Sequence, residues 1–202
     1  MENDRATLGR NIHSIIAEYY ANISQKPTAK QVETMAMACF DSGFEQSLKS
    51  YKKEAEEMIR NFIKFEQSRL ASYIKPILVE KKLENDNFTG IVDYFDGTNI
   101  IDWKTGAVME IDDDMRRQGK IYDVLLKSNG YNSSHRIYFI TLSNGRSLEL
   151  PLTTEAWLME QVKRMYSMVE NQRFPKCRSG LCNYCEVMLE CQMEGVTLWS
   201  ES

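Results

Sequence analysis

The chain has 202 residues, of which 43% are apolar and 27% are charged, and its net charge at pH 7 is −4. This length and apolar fraction are enough to bury one substantial core, and they leave little room for a second full domain. The acidic balance argues against a protein that coats nucleic acid in general. It is compatible with a metal site, because such a site gathers acidic ligands whose charge the ion neutralises.

The start of the chain does not have the features of a targeting segment. Met1–Arg5 does not have the basic start and the following apolar run of a signal peptide. No stretch approaches the roughly eighteen consecutive apolar residues of a membrane-spanning helix. These features predict a soluble, cytoplasmic protein with no membrane partner.

The first 75 residues are predicted to be helical. Their apolar residues mostly recur at helical spacing and no proline interrupts them over three segments, Leu8–Tyr20, Ala29–Tyr51 and Glu54–Tyr73. The segment Asn22–Pro27 separates the first helix from the second. We therefore treat residues 1–75 as a helical N-terminal region.

A β region is predicted to follow, from Ile77 to Trp103. Within it, Thr89–Phe95 and Asn99–Trp103 are short runs rich in β-branched and aromatic residues. Asp96 and Gly97 between these runs form a dipeptide that suits a tight hairpin turn. The two runs are therefore expected to be neighbouring antiparallel strands.

Two carboxylates and a lysine lie on these strands. Because alternate residues of a strand share a face, Asp102 and Lys104 should project together while Trp103 packs on the other side. Asp93, on the preceding strand, can join Asp102 in binding a hard divalent cation, which prefers oxygen ligands. Lys104 could then offset negative charge that develops on a phosphate. The pattern predicts a metal-dependent phosphodiesterase site.

The second half of the chain continues with alternating elements. A helix is predicted from Met115 to Ser128, and after it a hairpin whose turn contains an Asn-Gly step. The hairpin strands are Arg136–Leu142 and Ser147–Leu150. A further helix is expected from Thr153 or Thr154, either of which can cap it, to about Glu170. This order of elements indicates an α/β fold.

Three further polar residues lie on predicted helices. Gln118 and Tyr122 are four residues apart in the helix from Met115, so both side chains share one helix face. His13 borders the apolar stripe of the first helix. Taken alone, each of these residues, like the charges of the predicted hairpin, has an ordinary structural interpretation as part of a solvated face or a packed core.

Together these residues form an ordered set of four motifs. They read Gly9–His13 (G-x-x-x-H), Gly90–Asp93 (G-x-x-D), Asp102–Lys104 (D-x-K) and Gln118–Tyr122 (Q-x-x-x-Y). This set resembles the RecB-like branch of the PD-(D/E)XK nucleases, and the resemblance runs over most of the chain. It implies an α/β, restriction-endonuclease-like core that hydrolyses DNA phosphodiester bonds, with single-stranded DNA the favoured substrate.

The resemblance also implies a role for each matching residue. The metal ligands for Mg²⁺ or Mn²⁺ would be His13, Asp93 and Asp102, and Lys104 would be catalytic. Gln118 and Tyr122 would lie beside the active site and the DNA. Glu80 stands where the family often has an acidic residue on the preceding strand. No motif specifies it, so we expect at most a supporting position next to the metal ligands.

A cluster of cysteines is the second chemical signal. Of the five cysteines, four lie close together near the C-terminus, at Cys177, Cys182, Cys185 and Cys191. Thiolates at this spacing can hold either zinc or an iron–sulfur cluster. Disulfides are the alternative, but they require an oxidising compartment that nothing else in the sequence indicates.

The resemblance favours an iron–sulfur cluster over a zinc ion at these cysteines. Cys182, Cys185 and Cys191 match the C-x2-C-x5-C signature of the AddB-type nuclease domains and the CRISPR-associated "Cas four" exonucleases, which implies a structural 4Fe-4S cluster. In those families the fourth ligand comes from a cysteine upstream of the motif histidine, and no cysteine precedes His13. The fourth ligand is therefore expected to be Cys177, with Cys39 as the alternative.

The sequence thus predicts one nuclease domain, residues 1–202, that consists of a helical N-terminal region (residues 1–75), a nuclease core (residues 76–170) and a cysteine-bound segment (residues 171–202). Its partner would be DNA, and a second copy of the chain or a helicase or integrase could supply processivity. The alternative functions are a catalytically weak nucleic-acid-binding or adaptor protein and a zinc-ribbon DNA-binding protein.

Overall fold

The structure is a computed structural model and describes residues 4–131, 134–151 and 155–171. The four clustered cysteines lie outside the described residues, as does the predicted cysteine-bound segment beyond Asn171. The chain divides into two compact units, Met1–Leu158 and Met159–Ser202. All of the site residues discussed below belong to the first unit.

The described residues form helices and strands in the predicted order. The helices are α1 (Asp4–Ala21), α2 (Ala29–Gly43), α3 (Lys52–Ser68), α4 (Asp113–Ser128) and α5 (Glu155–Glu170), with short 3₁₀ turns at Gln46–Tyr51 and Leu70–Ser72. The strands are β1 (Leu78–Glu84), β2 (Thr89–Phe95), β3 (Asn99–Lys104), β4 (Arg136–Thr141) and β5 (Arg146–Glu149). The mixed α/β fold predicted from the sequence is confirmed.

One predicted helix was too long. The segment Ala29–Tyr51 was expected to be continuous, but α2 ends at Gly43 and Phe44 has extended backbone angles. The buried side chain of Asn11 explains this end. Its amide nitrogen donates to the carbonyl oxygen of Gly43 at 2.9 Å, and its oxygen accepts from the backbone nitrogen of Glu45 at 3.4 Å. A residue of α1 thus satisfies backbone groups that the end of α2 leaves unpaired.

The third predicted helix, Glu54–Tyr73, also differs at its C-terminal end. Helix α3 ends at Ser68, and residues 70–72 form a 3₁₀ turn. At Arg69 the backbone nitrogen donates to the carbonyl oxygen of Glu66, so the last turn tightens from α to 3₁₀ spacing. The helical character of the first 75 residues is otherwise as predicted.

The strands form one sheet in the order β1-β2-β3-β4-β5. Its neighbours are antiparallel except for β3 and β4, which run parallel. Helix α4 provides the crossover connection that this parallel pair requires. Because α4 follows β3 directly in the chain, Gln118 and Tyr122 return to the strand that carries Asp102 and Lys104.

Two apolar cores cover the two faces of the sheet. Residues of α1, α2 and α3 pack with Tyr94, Ile101 and Trp103. Residues of α4 pack on the other face with Ile100 and Phe139. The predicted alternation along β3 is therefore present, and it leaves Asp102 and Lys104 on the face that α4 covers. Within the described ranges, no helix is both long enough and apolar enough to cross a bilayer.

Candidate active site

Three carboxylates come together on three neighbouring strands. In the register between β1 and β2, Val79 pairs with Tyr94 and Lys81 with Val92, so Glu80 and Asp93 lie between the same two pairs. The antiparallel register between β2 and β3, continued by one residue, brings Asp93 opposite Asp102. Side chains at opposite positions of antiparallel strands are neighbours. Strand pairing thus aligns the three acidic residues in a row across the sheet.

The strands are irregular at this row. Glu80 has φ +45°, and it is the one non-glycine residue with positive φ among those described. On β2, Val92 belongs to the core under α4, whereas Tyr94, two residues later, belongs to the core under α1–α3. The side chains of β2 therefore change faces at Asp93. The positive φ of Glu80, a non-glycine residue, costs about 1–3 kcal/mol, and such strained residues cluster at functional sites.

Helix α1 brings His13 to the carboxylates. Its Nδ1 lies 3.0 Å from Glu80 Oε1 and 3.5 Å from Asp93 Oδ2. Its Nε2 lies 2.9 Å from the backbone carbonyl oxygen of Trp103. Because a carbonyl oxygen only accepts hydrogen bonds, Nε2 carries a hydrogen and donates it. In the neutral imidazole the lone pair is then on Nδ1, which faces the two carboxylates.

These three residues have the donor set of a divalent-cation site. His13, Glu80 and Asp93 each offer one ligand atom, and these atoms lie within 4.8 Å of one another. One imidazole nitrogen and two carboxylate oxygens suit Mn²⁺ and, with water completing the shell, Mg²⁺. Asp93 is held in place by the backbone nitrogen of Trp103, which donates to its Oδ2 at 2.9 Å. The residues present therefore fit a metal ion.

Asp102 belongs to an adjoining network of hydrogen bonds. Lys104 Nζ lies 2.7 Å from Asp102 Oδ2 and donates to Gln118 Oε1, also at 2.7 Å. Gln118 Nε2 donates to Asp102 Oδ1 at 2.7 Å and to the Tyr122 hydroxyl oxygen at 2.8 Å. Gln118 thus holds both members of the ion pair, and the motif residues of α4 and β3 form one unit.

Burial and crowding of charge shift the pKa values of the site. Burial, together with the neighbouring Asp102 charge, raises the pKa of Asp93 to about 8. Burial also raises the pKa of Asp102, although the ammonium of Lys104 opposes this. Burial alone would lower the pKa of His13, but its hydrogen bond to Glu80 and the charges of Asp93, Glu80 and Asp102 outweigh burial and raise it to about 9. Without a metal ion, His13 and Asp93 therefore keep their protons to a higher pH than the same side chains do in water, and these protons offset the negative charge that a cation would otherwise offset.

Two motif glycines permit close packing around the site. A Cβ at Gly90 would lie 3.3 Å from both Leu125 Cδ1 and Tyr122 Cε1. A Cβ at Gly9 would lie 3.3 Å from Thr105 Oγ1, next to Lys104. These contacts are tighter than ordinary van der Waals separations. The glycines therefore let α4 approach β2, and α1 approach the end of β3.

The structure brings together every motif residue that the sequence singled out. They form two adjoining groups: His13 contacts Asp93 beside Glu80, whereas Asp102 contacts Lys104, Gln118 and Tyr122 and is not among the three residues whose ligand atoms lie within 4.8 Å of one another. Glu80 is closer to the centre of the site than the sequence indicated, because it contacts His13 directly. Its position just before a motif-bearing strand was the one signal available. Cys39 is a buried free cysteine on α2, and the four C-terminal cysteines lie outside the described residues.

A histidine, buried carboxylates and a lysine on neighbouring elements of an α/β sheet have the donor chemistry of a metal-dependent hydrolase. The model of the PD-(D/E)XK nuclease superfamily matches residues 1–192, and the chain belongs to this superfamily. A comparison with curated proteins gave no match.

Membership of the PD-(D/E)XK nuclease superfamily agrees with the observed fold and implies a type of reaction. The five-stranded sheet with its helices is consistent with the restriction-endonuclease-like core of the superfamily. The superfamily implies a metal-dependent nuclease that acts on DNA and usually uses Mg²⁺ or Mn²⁺. The cluster at His13, Glu80 and Asp93 provides an acidic site for such an ion.

Proposed function

We propose that this protein is a Mg²⁺- or Mn²⁺-dependent deoxyribonuclease of the RecB-like branch, which hydrolyses phosphodiester bonds of single-stranded DNA from free ends. One observation carries this proposal: the metal-ligand cluster and the Lys104 network meet through neighbouring strand positions at Asp93 and Asp102. A nuclease needs a cation beside a positive side chain at the scissile phosphate. The order of the four motifs supports the assignment to the branch.

The metal ion would be held by His13, Asp93 and Asp102, and the contact between His13 and Glu80 adds Glu80 to this set. When bound, the ion supplies Lewis-acid polarisation of the phosphate and a water of lowered pKa. His13 can ligate only through the lone pair on Nδ1, so its hydrogen bond to the Trp103 carbonyl orients the ring for this role.

Lys104 is the residue placed to meet phosphate charge. Its side chain is one-quarter exposed, whereas that of its partner Asp102 is almost fully buried. Lys104 is therefore the member of the pair that is accessible from outside, and its ammonium is the group that would contact a phosphate oxygen as negative charge develops. Gln118 and Asp102 hold the ammonium in place, so little reorganisation is needed at the moment of reaction.

The C-terminal cysteines would hold a structural 4Fe-4S cluster through Cys177, Cys182, Cys185 and Cys191. Four thiolates are the complete ligand set of such a cluster, and zinc is the alternative metal. Anaerobic purification followed by visible absorption and iron analysis tests this assignment separately. A brown, iron-containing protein supports the cluster, whereas a colourless protein with stoichiometric zinc would replace it with a zinc site.

The decisive experiment is cleavage of end-labelled linear and circular single-stranded DNA with Mn²⁺. The anaerobically purified protein should degrade the linear strand, and Asp102→Ala and Lys104→Ala should abolish cleavage. Lys82→Ala, on the exposed side of β1, is the matched control and should retain it. If no metal supports cleavage while DNA binding is intact, the protein is instead a nucleic-acid-binding or adaptor protein. Cleavage of the circle would add endonuclease activity.

A further inference from the structure

A polar cavity lies beside helix α4, away from the metal-ligand cluster. Its volume is about 300 Å³, and its polar lining consists of Lys120, Asp123, Lys127, Ser134 and His135. The three residues from α4 are spaced by three and four positions, so they share one face of the helix. At about 100° per residue, this face is opposite to the one that presents Gln118 and Tyr122 to the nuclease site.

The carboxylate of Asp123 organises the cationic groups of this cavity. His135 Nδ1 lies 2.9 Å from Asp123 Oδ1. Lys120 Nζ and Lys127 Nζ lie 2.6 and 2.9 Å from Asp123 Oδ2. Burial alone would raise the pKa of Asp123, but these three hydrogen bonds outweigh burial and lower it. Asp123 is therefore ionised at neutral pH, and His135 Nδ1 donates a hydrogen to it.

Hydrogen-bonding capacity is left over after Asp123 is satisfied. The side chain of His135 is fully buried and its Nε2 has no hydrogen-bond partner among the described residues. The side chain of Lys120 is 9% exposed, and within the described ranges its ammonium has one hydrogen-bond partner, Asp123. An ammonium has three donors, so the remaining ones face the cavity or stay unsatisfied, which is costly at this depth.

The charge of the cavity is positive. Two lysines oppose a single carboxylate, so the cluster has one excess positive charge even when His135 is neutral. Asp123 positions the ammonium groups without neutralising both of them. Buried charges normally have a full set of partners. The side chain of Lys127 is 41% exposed and open to water, whereas the buried Lys120 ammonium and His135 Nε2 have hydrogen-bonding groups without partners among the described residues, and a negatively charged ligand in the cavity would supply these partners.

We propose that this cavity binds the phosphate group of a small phosphate monoester, through Lys120, Lys127 and His135. A phosphate offers several oxygens that can accept from both ammonium groups at once. His135 Nε2 can bond a phosphate oxygen, as donor when it carries a hydrogen or as acceptor from the P–OH of a monoanionic phosphate, and the hydroxyl of Ser134 at the rim can complete the contacts. The volume accommodates more than an inorganic phosphate, so a mononucleotide is the fitting size class.

The test is calorimetric titration of the purified full chain in metal-free buffer containing a chelator, which removes metal-mediated binding at the nuclease site. The titrants are inorganic phosphate, thymidine 5′-monophosphate and thymidine. The two phosphate-bearing titrants should bind and thymidine should not. Absence of phosphate binding at millimolar concentrations, or equal binding of thymidine and its monophosphate, would overturn the proposal.

Matched variants locate the binding. Lys127→Met removes a half-exposed cation with little effect on packing, and it should weaken binding by about tenfold or more. Lys120→Met should do the same if it folds, which its thermal unfolding will show. Lys82→Met, an exposed lysine paired with Glu84 on β1, should leave binding unchanged. Unchanged affinity in Lys127→Met would contradict the proposed ligands.

A spectroscopic readout identifies the histidine. The chain has two histidines, His13 and His135, so a His13→Asn variant leaves one imidazole signal in the NMR spectrum. This signal should shift as thymidine 5′-monophosphate is added. A ligand that shifts only the His13 signal of the unmodified chain would place binding at the nuclease site and overturn the assignment to this cavity.

Discussion

The Nε2 of His13 donates a hydrogen bond to the backbone carbonyl of Trp103, 2.9 Å away, although the two residues lie 90 positions apart in the chain. This contact fixes the tautomer of the histidine and turns Nδ1 toward Glu80 and Asp93. Trp103 stands between the motif residues Asp102 and Lys104, so the backbone of the D-x-K motif itself orients the histidine of the first motif.

Glu80 should contribute to metal affinity as much as a recognised ligand does. Glu80→Gln keeps the shape of the side chain and removes its charge beside His13. We expect Mn²⁺ affinity, measured by calorimetry, to fall by about 10- to 100-fold. Glu84→Gln, on the same strand with an exposed side chain, is the control. Equal affinity in the two variants would show that Glu80 does not belong to the site.

The stability of the metal-free protein should decrease as the pH rises. The pKa of His13 is raised from 6.5 to about 9, and that of Asp93 from 3.8 to about 8. The folded state therefore binds protons more tightly than the unfolded state, so stability is lost as pH rises through these values. The loss should be steepest between pH 6.5 and 8, where both groups contribute.

Thermal unfolding in chelator across this pH range checks the expectation. Adding Mn²⁺ should raise the melting temperature more at pH 8.5 than at pH 6, because the cation replaces the lost protons. A His13→Asn variant should show a shallower decline in chelator. A melting temperature that does not change with pH in the unmodified chain would contradict the proton-binding character of the cluster.

Gln118 should act on catalysis by positioning Lys104 and Asp102. Gln118→Met is similar in volume and removes the hydrogen bonds to Lys104, Asp102 and Tyr122. We expect kcat to fall by about 10- to 100-fold while KM changes little, because the ammonium is no longer held where charge develops. Gln67→Met is the control, since Gln67 bonds to the carbonyl of Ala29 far from the site. A change in KM alone would assign Gln118 to DNA binding instead.

Gly90 should be intolerant of a side chain. In Gly90→Ala, the new Cβ would press on the ring of Tyr122 and on Leu125, each at 3.3 Å. The unfolding free energy should fall by about 1–2 kcal/mol through overpacking, as measured by urea denaturation. Gly106→Ala, where a Cβ meets nothing within 4 Å, should change it by less than about 0.5 kcal/mol. Similar unfolding free energies for Gly90→Ala and Gly106→Ala would show that α4 can shift to accommodate the new Cβ at little cost.

Much of the fold could be predicted because its signals are local. Composition and turn dipeptides identified β2, β3, β4 and β5, helical spacing identified α4, and alternation along β3 correctly placed Asp102 and Lys104 on one face, with Trp103 on the other. The end of α2 could not be predicted in this way. It depends on the side chain of Asn11 in another helix, and local spacing carries no information on such a partner.

The sequence by itself determined the residues that could do chemistry, since the four motifs specify donor types and their order. Tertiary structure alone decided how they meet. Pairing of β1 with β2 sets Glu80 beside Asp93, and the residues on either side of Asp93, Val92 and Tyr94, pack into different cores. The contact between His135 and Asp123 could likewise not be predicted from the sequence, because Asp123 lies on α4 and His135 lies outside this helix, just before β4. The physical reason is that a residue's face is encoded by its immediate neighbours, whereas contacts between elements depend on register and packing over the whole core.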